Sequence, residues 1–154
     1  MYLVECYNDE TVLRALGVRS QDIRRMKGKG NVLNRLKRDG TIDFIGMVDD
    51  DPRSPHPVPL APFVRHEQRS DLTLYGWNSN RLIVVHDTLE DWIFRAMNGC
   101  GLDPLQHLAA SDAAMLHRME SRVVDPKLTR AIEALAASRS VHLSVLREFL
   151  GLQA

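Results

Sequence analysis

Short apolar runs along the chain predict the strands of a sheet. Four runs are bounded by polar or turn-forming residues, namely Tyr2–Cys6, Thr41–Val48, Leu72–Tyr75 and Arg81–Val85. A more highly charged stretch at Asp22–Arg25 gives a weaker strand signal. The last two apolar runs flank a Gly-Trp-Asn-Ser-Asn segment and therefore predict a hairpin or two strands of one sheet, with Arg81–Val85 in the centre.

Apolar residues spaced three and four apart predict helices between these strands. The first helix has its N-cap at Asn8 or Asp9 and is ended by Gly17. A second apolar stripe ends at Asp39-Gly40, and a third helix begins at Asp87 or Thr88. This alternation predicts an α/β fold with a mostly parallel central sheet that is flanked by helices.

The last third of the chain reads as helical packing material. Its predicted helices begin at Asp103-Pro104, Asp125-Pro126 and Ser140 or Ser144. The first of them carries apolar positions as far as Leu116. With 154 residues, of which 44% are hydrophobic, the chain has the size of one domain with a substantial core. We predict an α/β core at 1–100 and a helical extension at 101–154.

Charge is balanced overall and uneven along the chain. Residues 1–40 hold nine Lys or Arg and five Asp or Glu, whereas residues 41–112 hold five and eleven. A basic segment beside an acidic one suits a metal site next to a phosphate-binding surface, although ordinary solvated faces produce the same asymmetry.

The cysteines and the first residues bear on the compartment. Cys6 and Cys100 do not have metal-ligand spacing and are too few for a disulfide scaffold, so a reduced cytoplasmic setting is expected. Met1 leads directly into a strand-like run, and no apolar stretch approaches the length of a membrane span. We therefore predict neither secretion nor contact with a membrane.

Three consecutive carboxylates follow the second apolar run. Asp49, Asp50 and Asp51 stand at the mouth of a buried strand, where they repel one another and call for a compensating charge. Side chains of a strand alternate in direction, so Asp49 and Asp51 are expected to share a face. Their oxygens suit Mg²⁺. The alternative is an acidic turn that caps the next segment.

Two glutamates also lie at strand ends. Glu5 is placed in an apolar strand beside a turn, and Glu90 follows the Arg81–Val85 strand. Because open α/β sheets place their sites at the carboxyl ends of strands, the acids around Glu90 are expected to lie beside the first cluster, and Glu90 is a candidate for a second ligand position. An edge-strand position facing water would also explain Glu5, and the start of a helix would also explain Glu90.

Other candidate residues carry weaker signals. Gly28-Lys29-Gly30 precedes a helical stripe and would let backbone amides approach a phosphate, although a plain turn is the more frequent explanation. His56 and His66 lie in or near a proline-rich loop from Pro52 to Pro62, where either contact with a metal or exposure to solvent is open. The remaining candidates are interpreted as surface or packing residues, namely His107, His117 and His142.

The order of these motifs resembles the TOPRIM domain, which is shared by topoisomerases, bacterial primases and nucleases of the overcoming-lysogenization-defect type. The resemblance rests on Glu5, Asp9, the glycine-lysine turn, and the strand before Asp49-x-Asp51, and it extends from Met1 to Trp92. It implies a TOPRIM/Rossmann-like fold in which Glu5, Asp49 and Asp51 bind Mg²⁺ or Mn²⁺. Glu90 is the candidate for an additional ligand. Cys6 stands where the family commonly has Gly, and a side chain at this position leaves less room for a substrate to approach the backbone.

The resemblance implies a metal-dependent phosphodiesterase that acts on DNA or RNA. Glu5, Asp49 and Asp51 are its expected catalytic residues, and the residues expected to contact phosphates are Arg25, Lys27 and Lys29. A partner ATPase on another chain is compatible with this interpretation. The first alternative is a non-catalytic regulatory or binding domain. The second is a phosphoryl-transfer enzyme with Asp49 as the nucleophile, which the residues after Pro52 disfavour.

Overall fold

The structure is a computed structural model that describes residues 1–38, 42–51, 60–119 and 123–152. Its strands are β1 (Tyr2–Val4), β2 (Ile23–Arg25), β3 (Ile45–Asp50), β4 (Val64–Arg69), β5 (Leu72–Trp77) and β6 (Asn80–His86). Its helices are α1 (Tyr7–Ala15), α2 (Lys29–Leu36), α3 (Leu89–Gly99), α4 (Pro104–Leu108), α5 (Ala113–Arg118), α6 (Pro126–Ala137) and α7 (Val141–Leu150).

The strands form one six-stranded sheet in the order β2-β1-β3-β6-β5-β4. β1 pairs in parallel with both β2 and β3, and β3 pairs in parallel with β6. β5 is antiparallel to β6 and to β4. The predicted α/β architecture with a mostly parallel sheet is therefore confirmed, as are the β5–β6 hairpin and the central place of β6.

Both faces of the sheet are covered, and residues along one strand alternate between them. Val4, Ile83 and Val85 pack under α1, α3 and the C-terminal helices, in a cluster that contains the fully buried Trp92. Their neighbours Leu3, Leu82 and Val84 pack on the other face, against α2, in a second cluster. The helical extension thus shares one hydrophobic core with the sheet.

Helix α2 approaches β3 closely at Gly46. A Cβ atom at Gly46 would lie 2.7 Å from Leu36 Cδ1 and 2.9 Å from Val32 Cγ1, so any other residue would require these side chains or the helix to shift. The helix begins after Gly28, whose φ of 124° lies in a region that side chains rarely adopt. These two glycines fix where the first turn of α2, including Lys29, meets the sheet.

Some predicted boundaries are wrong. The N-cap of α1 is Cys6 rather than Asn8 or Asp9, because the Asp9 side chain reaches back from the third helical position to the Cys6 backbone N–H. β1 ends at Val4, so Glu5 lies just beyond it, and β3 begins at Ile45 and includes Asp49. The strand β4 was not predicted, because its side chains are mostly exposed and polar.

The predicted helix after Asp103 is two helices. Ala109 ends α4 with a left-handed backbone (φ 55°), and Asp112 caps α5 by accepting the Met115 N–H. The N-caps expected at Thr88, Asp103, Asp125 and Ser140 are confirmed.

Three predictions fall on residues outside the described ranges: the end of a helix at Asp39-Gly40, most of the proline-rich loop, and His56. Within the described ranges, no helix combines the length and the apolar character that crossing a lipid bilayer requires.

Candidate functional site

The site begins where β1 and β3 end side by side. Parallel neighbours place their carboxyl ends at the same edge of a sheet, so Glu5, just after β1, meets Asp49 of β3. Glu5 Oε1 accepts a hydrogen bond from the Asp49 backbone N–H at 3.0 Å. Two of the predicted site residues, Glu5 and Asp49, are thus joined by a hydrogen bond from backbone to side chain.

Asp9 adds a third carboxylate from the first turn of α1. Its Oδ2 accepts hydrogen bonds from the backbone N–H groups of Glu5 at 3.0 Å and Cys6 at 2.9 Å, and the residue is 3% exposed. Asp9 belongs to the motif of the family resemblance, but no role in the site was predicted for it. Its position four residues after Glu5, in the first helical turn, was the available signal.

Glu90 adds a fourth carboxylate from the first turn of α3. It is 2% exposed, and its Oε1 accepts a hydrogen bond of 2.8 Å from Asn8 Nδ2. His117 Nδ1 of α5 lies 3.4 Å from the same oxygen. The side chain of His117 is 68% exposed, so it is a surface residue as predicted, and the turn between α4 and α5 also brings it to the rim of the site.

The acids surround a small cavity of about 180 Å³, which we call the acidic cavity. It is lined by Glu5, Cys6, Asp9, Lys29, Asp49, Asp51, Leu89, Glu90 and His117. Asp49 and Asp51 both face it and Asp50 is exposed, as the alternation along a strand predicts. Lys29 was expected in a phosphate-binding turn. It is instead 7% exposed and faces the carboxylates.

Burial and mutual repulsion raise the pKa of two of these carboxyl groups. Burial raises the pKa of Asp49 to about 9, with a further contribution from the charge of Asp9, while a hydrogen bond from the Leu89 backbone acts in the opposite direction. Burial also raises the pKa of Asp9 to about 7, and the Cys6 N–H opposes this shift. A cation in the cavity would favour the ionised forms of both groups.

One carboxylate oxygen of the site, Oδ1 of Asp49, is buried and has no hydrogen-bond partner among the described residues. A buried carboxylate oxygen without a partner is costly unless it holds a proton or contacts a cation. Its orientation and its acidic neighbours therefore suit a hard divalent ion.

The chemistry of the donors fits Mg²⁺ better than their present arrangement does. Carboxylate oxygens are the ligands that Mg²⁺ prefers. However, no group of three or more His, Cys, Asp or Glu side chains in the described part of the chain has the positions of a ligand set for a metal ion. Glu5 and Asp9 each use an oxygen to bind backbone N–H groups. Asp49 and Asp51 are the side chains best placed to hold an ion, with Glu5 and Glu90 beside them.

A second, more open cavity of about 470 Å³ adjoins the first, and we call it the outer cleft. Asp49, Asp51 and His117 line both cavities. The outer cleft is also lined by Asp87, Thr88, Asp91, Ala113, Ala114 and Arg118. The helical extension therefore supplies one wall of the candidate site, which the sequence analysis did not anticipate.

The three predicted phosphate contacts separate into different surroundings. Lys29 lines the acidic cavity, whereas Arg25 and Lys27 line a groove between β2 and α2. Arg25 is engaged within the protein, with Nη1 2.9 Å from Glu10 Oε2 and its guanidinium 3.5 Å from the centre of the Tyr7 ring.

The other histidines lie elsewhere in the fold. His66 is on the edge strand β4, where its ring covers Gly76. His107 is on α4, and His142 lies 3.6 Å from Asp71 and edge-on to Trp92. None of these three lines the acidic cavity or the outer cleft.

Comparisons of the chain with protein-family models, with curated proteins and with solved structures gave no match. The resemblance to the TOPRIM domain therefore rests on the motif residues of this chain.

Proposed function

We propose that the protein is a TOPRIM-like, Mg²⁺-dependent phosphodiesterase that cleaves nucleic acid. The observation that carries this proposal is the convergence of Glu5, Asp9, Asp49, Asp51 and Glu90 on one small cavity at the carboxyl ends of parallel strands. In open α/β sheets this is the usual place of a binding site. The unpartnered oxygen of Asp49 supports a cation there.

Asp49 and Asp51 would hold the metal, with Glu90 and Glu5 as further ligands. Bound Mg²⁺ would polarise a phosphoryl oxygen and lower the pKa of an attacking water. Glu5 is tied to the Asp49 backbone N–H and thus keeps one carboxylate oxygen oriented next to the metal ligands.

The outer cleft would seat the scissile phosphate and the adjoining sugar. Arg118 of α5 lines this cleft together with the aspartates, and its charge would neutralise a phosphate that the carboxylates alone would repel. Lys29 would compensate part of the charge of the acidic cavity from within.

The second candidate is a non-catalytic domain of the same fold that binds a nucleic acid or a protein. Two observations favour it: the described residues do not form a ready ligand set for a metal, and Cys6 occupies the wall of the acidic cavity. A requirement for a partner ATPase would belong to either candidate.

The test is cleavage of labelled single- and double-stranded DNA and RNA in Mg²⁺, Mn²⁺ or EDTA. Asp49→Asn removes the charge but keeps the shape, and Asp50→Asn is the matched control because Asp50 is exposed. We expect cleavage only with metal, and a loss of about 10³-fold in Asp49→Asn. Cleavage that Asp49→Asn leaves intact, or no cleavage of any substrate by the wild type, would reject the enzymatic proposal.

A further inference from the structure

A basic groove runs along the outer edge of the sheet, between β2 and α2. Its volume is about 700 Å³. Arg24 and Lys27 stand on one side, and Asn34, Arg35 and Arg38 of the other side come from α2 and its end. Met26 is the apolar residue of the lining, so the groove offers charge and amide groups rather than a hydrophobic surface.

Three of these cations have no partner among the residues that the structure describes. Arg24, Lys27 and Arg38 are exposed, and their side chains have no ion pair or hydrogen bond within the described part of the chain. Arg25, by contrast, is paired with Glu10, and Arg35 lies 4.2 Å from the centre of the Phe44 ring. Exposed cations that converge on one groove without counter-charges create a positive potential that attracts a polyanion.

The shape of the groove is held by contacts behind these cations. Asn31 Nδ2 donates to the backbone oxygens of Met26 at 2.9 Å and Lys27 at 3.4 Å, which fastens the segment before α2 to its first turn. Lys27 has a left-handed backbone (φ 57°), and this conformation persists because the surrounding contacts fix it. The groove is therefore a formed surface in which the long side chains have fixed anchoring points.

The groove and the acidic cavity are lined by neighbouring residues of the chain. Lys27 lines the groove and Lys29, two residues later, lines the cavity, so their Cα atoms are at most about 7 Å apart. A phosphodiester strand has charges that repeat at intervals of this order, so that one phosphate can lie in the groove while a neighbour approaches the carboxylates.

We propose that this groove binds the phosphodiester backbone of a nucleic acid and guides it to the acidic cavity. Arg24, Lys27 and Arg38 contact phosphates, and Asn34 is placed to donate to a phosphate or sugar oxygen. Among the described residues no aromatic ring lines the groove to stack on bases, so the contacts carry charge and position rather than sequence. The choice of nucleic acid as the ligand rests on the proposed function.

The experiment measures binding by fluorescence anisotropy in EDTA, so that neither metal nor cleavage enters. The probes are a labelled single strand of about 20 nucleotides, which exceeds one binding site, and the corresponding duplex. The test variant is Arg24→Gln/Lys27→Gln/Arg38→Gln. The matched control is Lys127→Gln/Arg130→Gln/Arg139→Gln, which removes three exposed cations from the helical extension.

We expect the test variant to bind at least tenfold more weakly at low salt, with the control close to wild type. The slope of log K against log salt concentration should fall in magnitude by about 2 on the single strand and about 3 on the duplex, as for three lost phosphate contacts. The single variant Arg24→Gln should give about a third of this change and guards against a folding defect in the triple variant.

An unchanged affinity and slope in the test variant, or an equal loss in the control, would overturn the proposal. The proposal would also be overturned if a labelled polyglutamate peptide bound the wild type as tightly as the nucleic acid does and no longer bound the test variant. The groove would then recognise an acidic protein. If the triple variant loses affinity as expected but Asp49→Asn still cleaves, the groove proposal is supported and the nuclease site is rejected. If the triple variant binds like wild type but Asp49→Asn has lost cleavage, only the groove proposal is rejected.

Discussion

The acidic cavity and the basic groove are lined by neighbouring residues, Lys29 and Lys27, but they place their charged side chains in opposite environments. In the cavity, carboxylates from β3, α1 and α3 are buried, hydrogen-bonded and crowded together. In the groove, Arg24, Lys27 and Arg38 project into solvent from the edge of the sheet. Lys27 and Lys29 are the same residue type on either side of this boundary.

The contrast shows that burial, rather than residue type, decides what a charge does here. A charge removed from water interacts strongly with its neighbours, which is why the pKa values of Asp9 and Asp49 are raised. A solvated charge interacts weakly with the fold and remains available to a ligand. Substitutions in the cavity should therefore change stability, and those in the groove should change salt-dependent binding.

The two lysines give the largest expected difference. Lys29→Met should lower the free energy of unfolding by about 3 kcal/mol at pH 8, because it leaves the surrounding carboxylates without a buried cation. Lys27→Met, the matched control, should change it by less than about 0.5 kcal/mol because Lys27 is exposed. Urea unfolding of both variants in EDTA measures the difference, and equal losses would erase the distinction between the two regions.

The pH dependence of stability gives the next largest effect. An unfolded Asp titrates near pH ~3.9, whereas the pKa values of Asp9 and Asp49 are about 7 and about 9 in the fold. Between these limits the folded protein binds more protons than the unfolded chain. The metal-free protein should therefore be most stable near the acid end of this range and lose stability as the pH rises through 7 and then 9.

Asp49→Asn isolates the contribution of one carboxyl group to this pH dependence. In EDTA at pH 8 the variant should melt on the order of 2–8 °C above wild type, because its folding no longer requires the uptake of a proton by this carboxyl group. Its melting temperature should also vary less with pH. Asp50→Asn should melt within about 2 °C of wild type. A pH profile that Asp49→Asn does not flatten would contradict the assigned pKa shift.

The smallest effect concerns the anchoring of the groove. Asn31→Ala removes the hydrogen bonds to the backbone oxygens of Met26 and Lys27, and should cost about 1 kcal/mol of stability. Asn34→Ala, one turn later on the same helix, should cost less than about 0.5 kcal/mol, because the exposed Asn34 side chain makes no hydrogen bond within the described part of the chain. Thermal unfolding compares the two, and the reverse order would show that Asn31 does not fix the groove.

Much of the sheet could be predicted from the sequence because its central strands are buried on both faces. The apolar runs before Asp49 and His86 are of the kind found in buried strands. Alternation along the first strand then predicts that Asp49 and Asp51 share a face. β4 could not be predicted in this way: as an exposed edge strand it carries Val64 and Glu67 among charged and polar residues, without a hydrophobic period.

The parts of the site that were missed depend on contacts between distant elements. Local pattern gives Lys29 a turn before a helix, but the packing of α2 on Gly46 is what directs it into the acidic cavity. Likewise, His117 lies 27 residues after Glu90, and the left-handed turn at Ala109 brings it back. Motif spacing carries no information about such tertiary placement.

The most direct test of the central claim, that the acidic cavity is a divalent-cation site, is a calorimetric titration of Mg²⁺ and Mn²⁺ into three proteins. Wild type and Asp50→Asn should bind the ion, and Asp49→Asn should not, because a neutral amide replaces the carboxylate whose buried Oδ1 lacks a partner among the described residues. Absence of binding by the wild type, or undiminished binding by Asp49→Asn, would contradict the account.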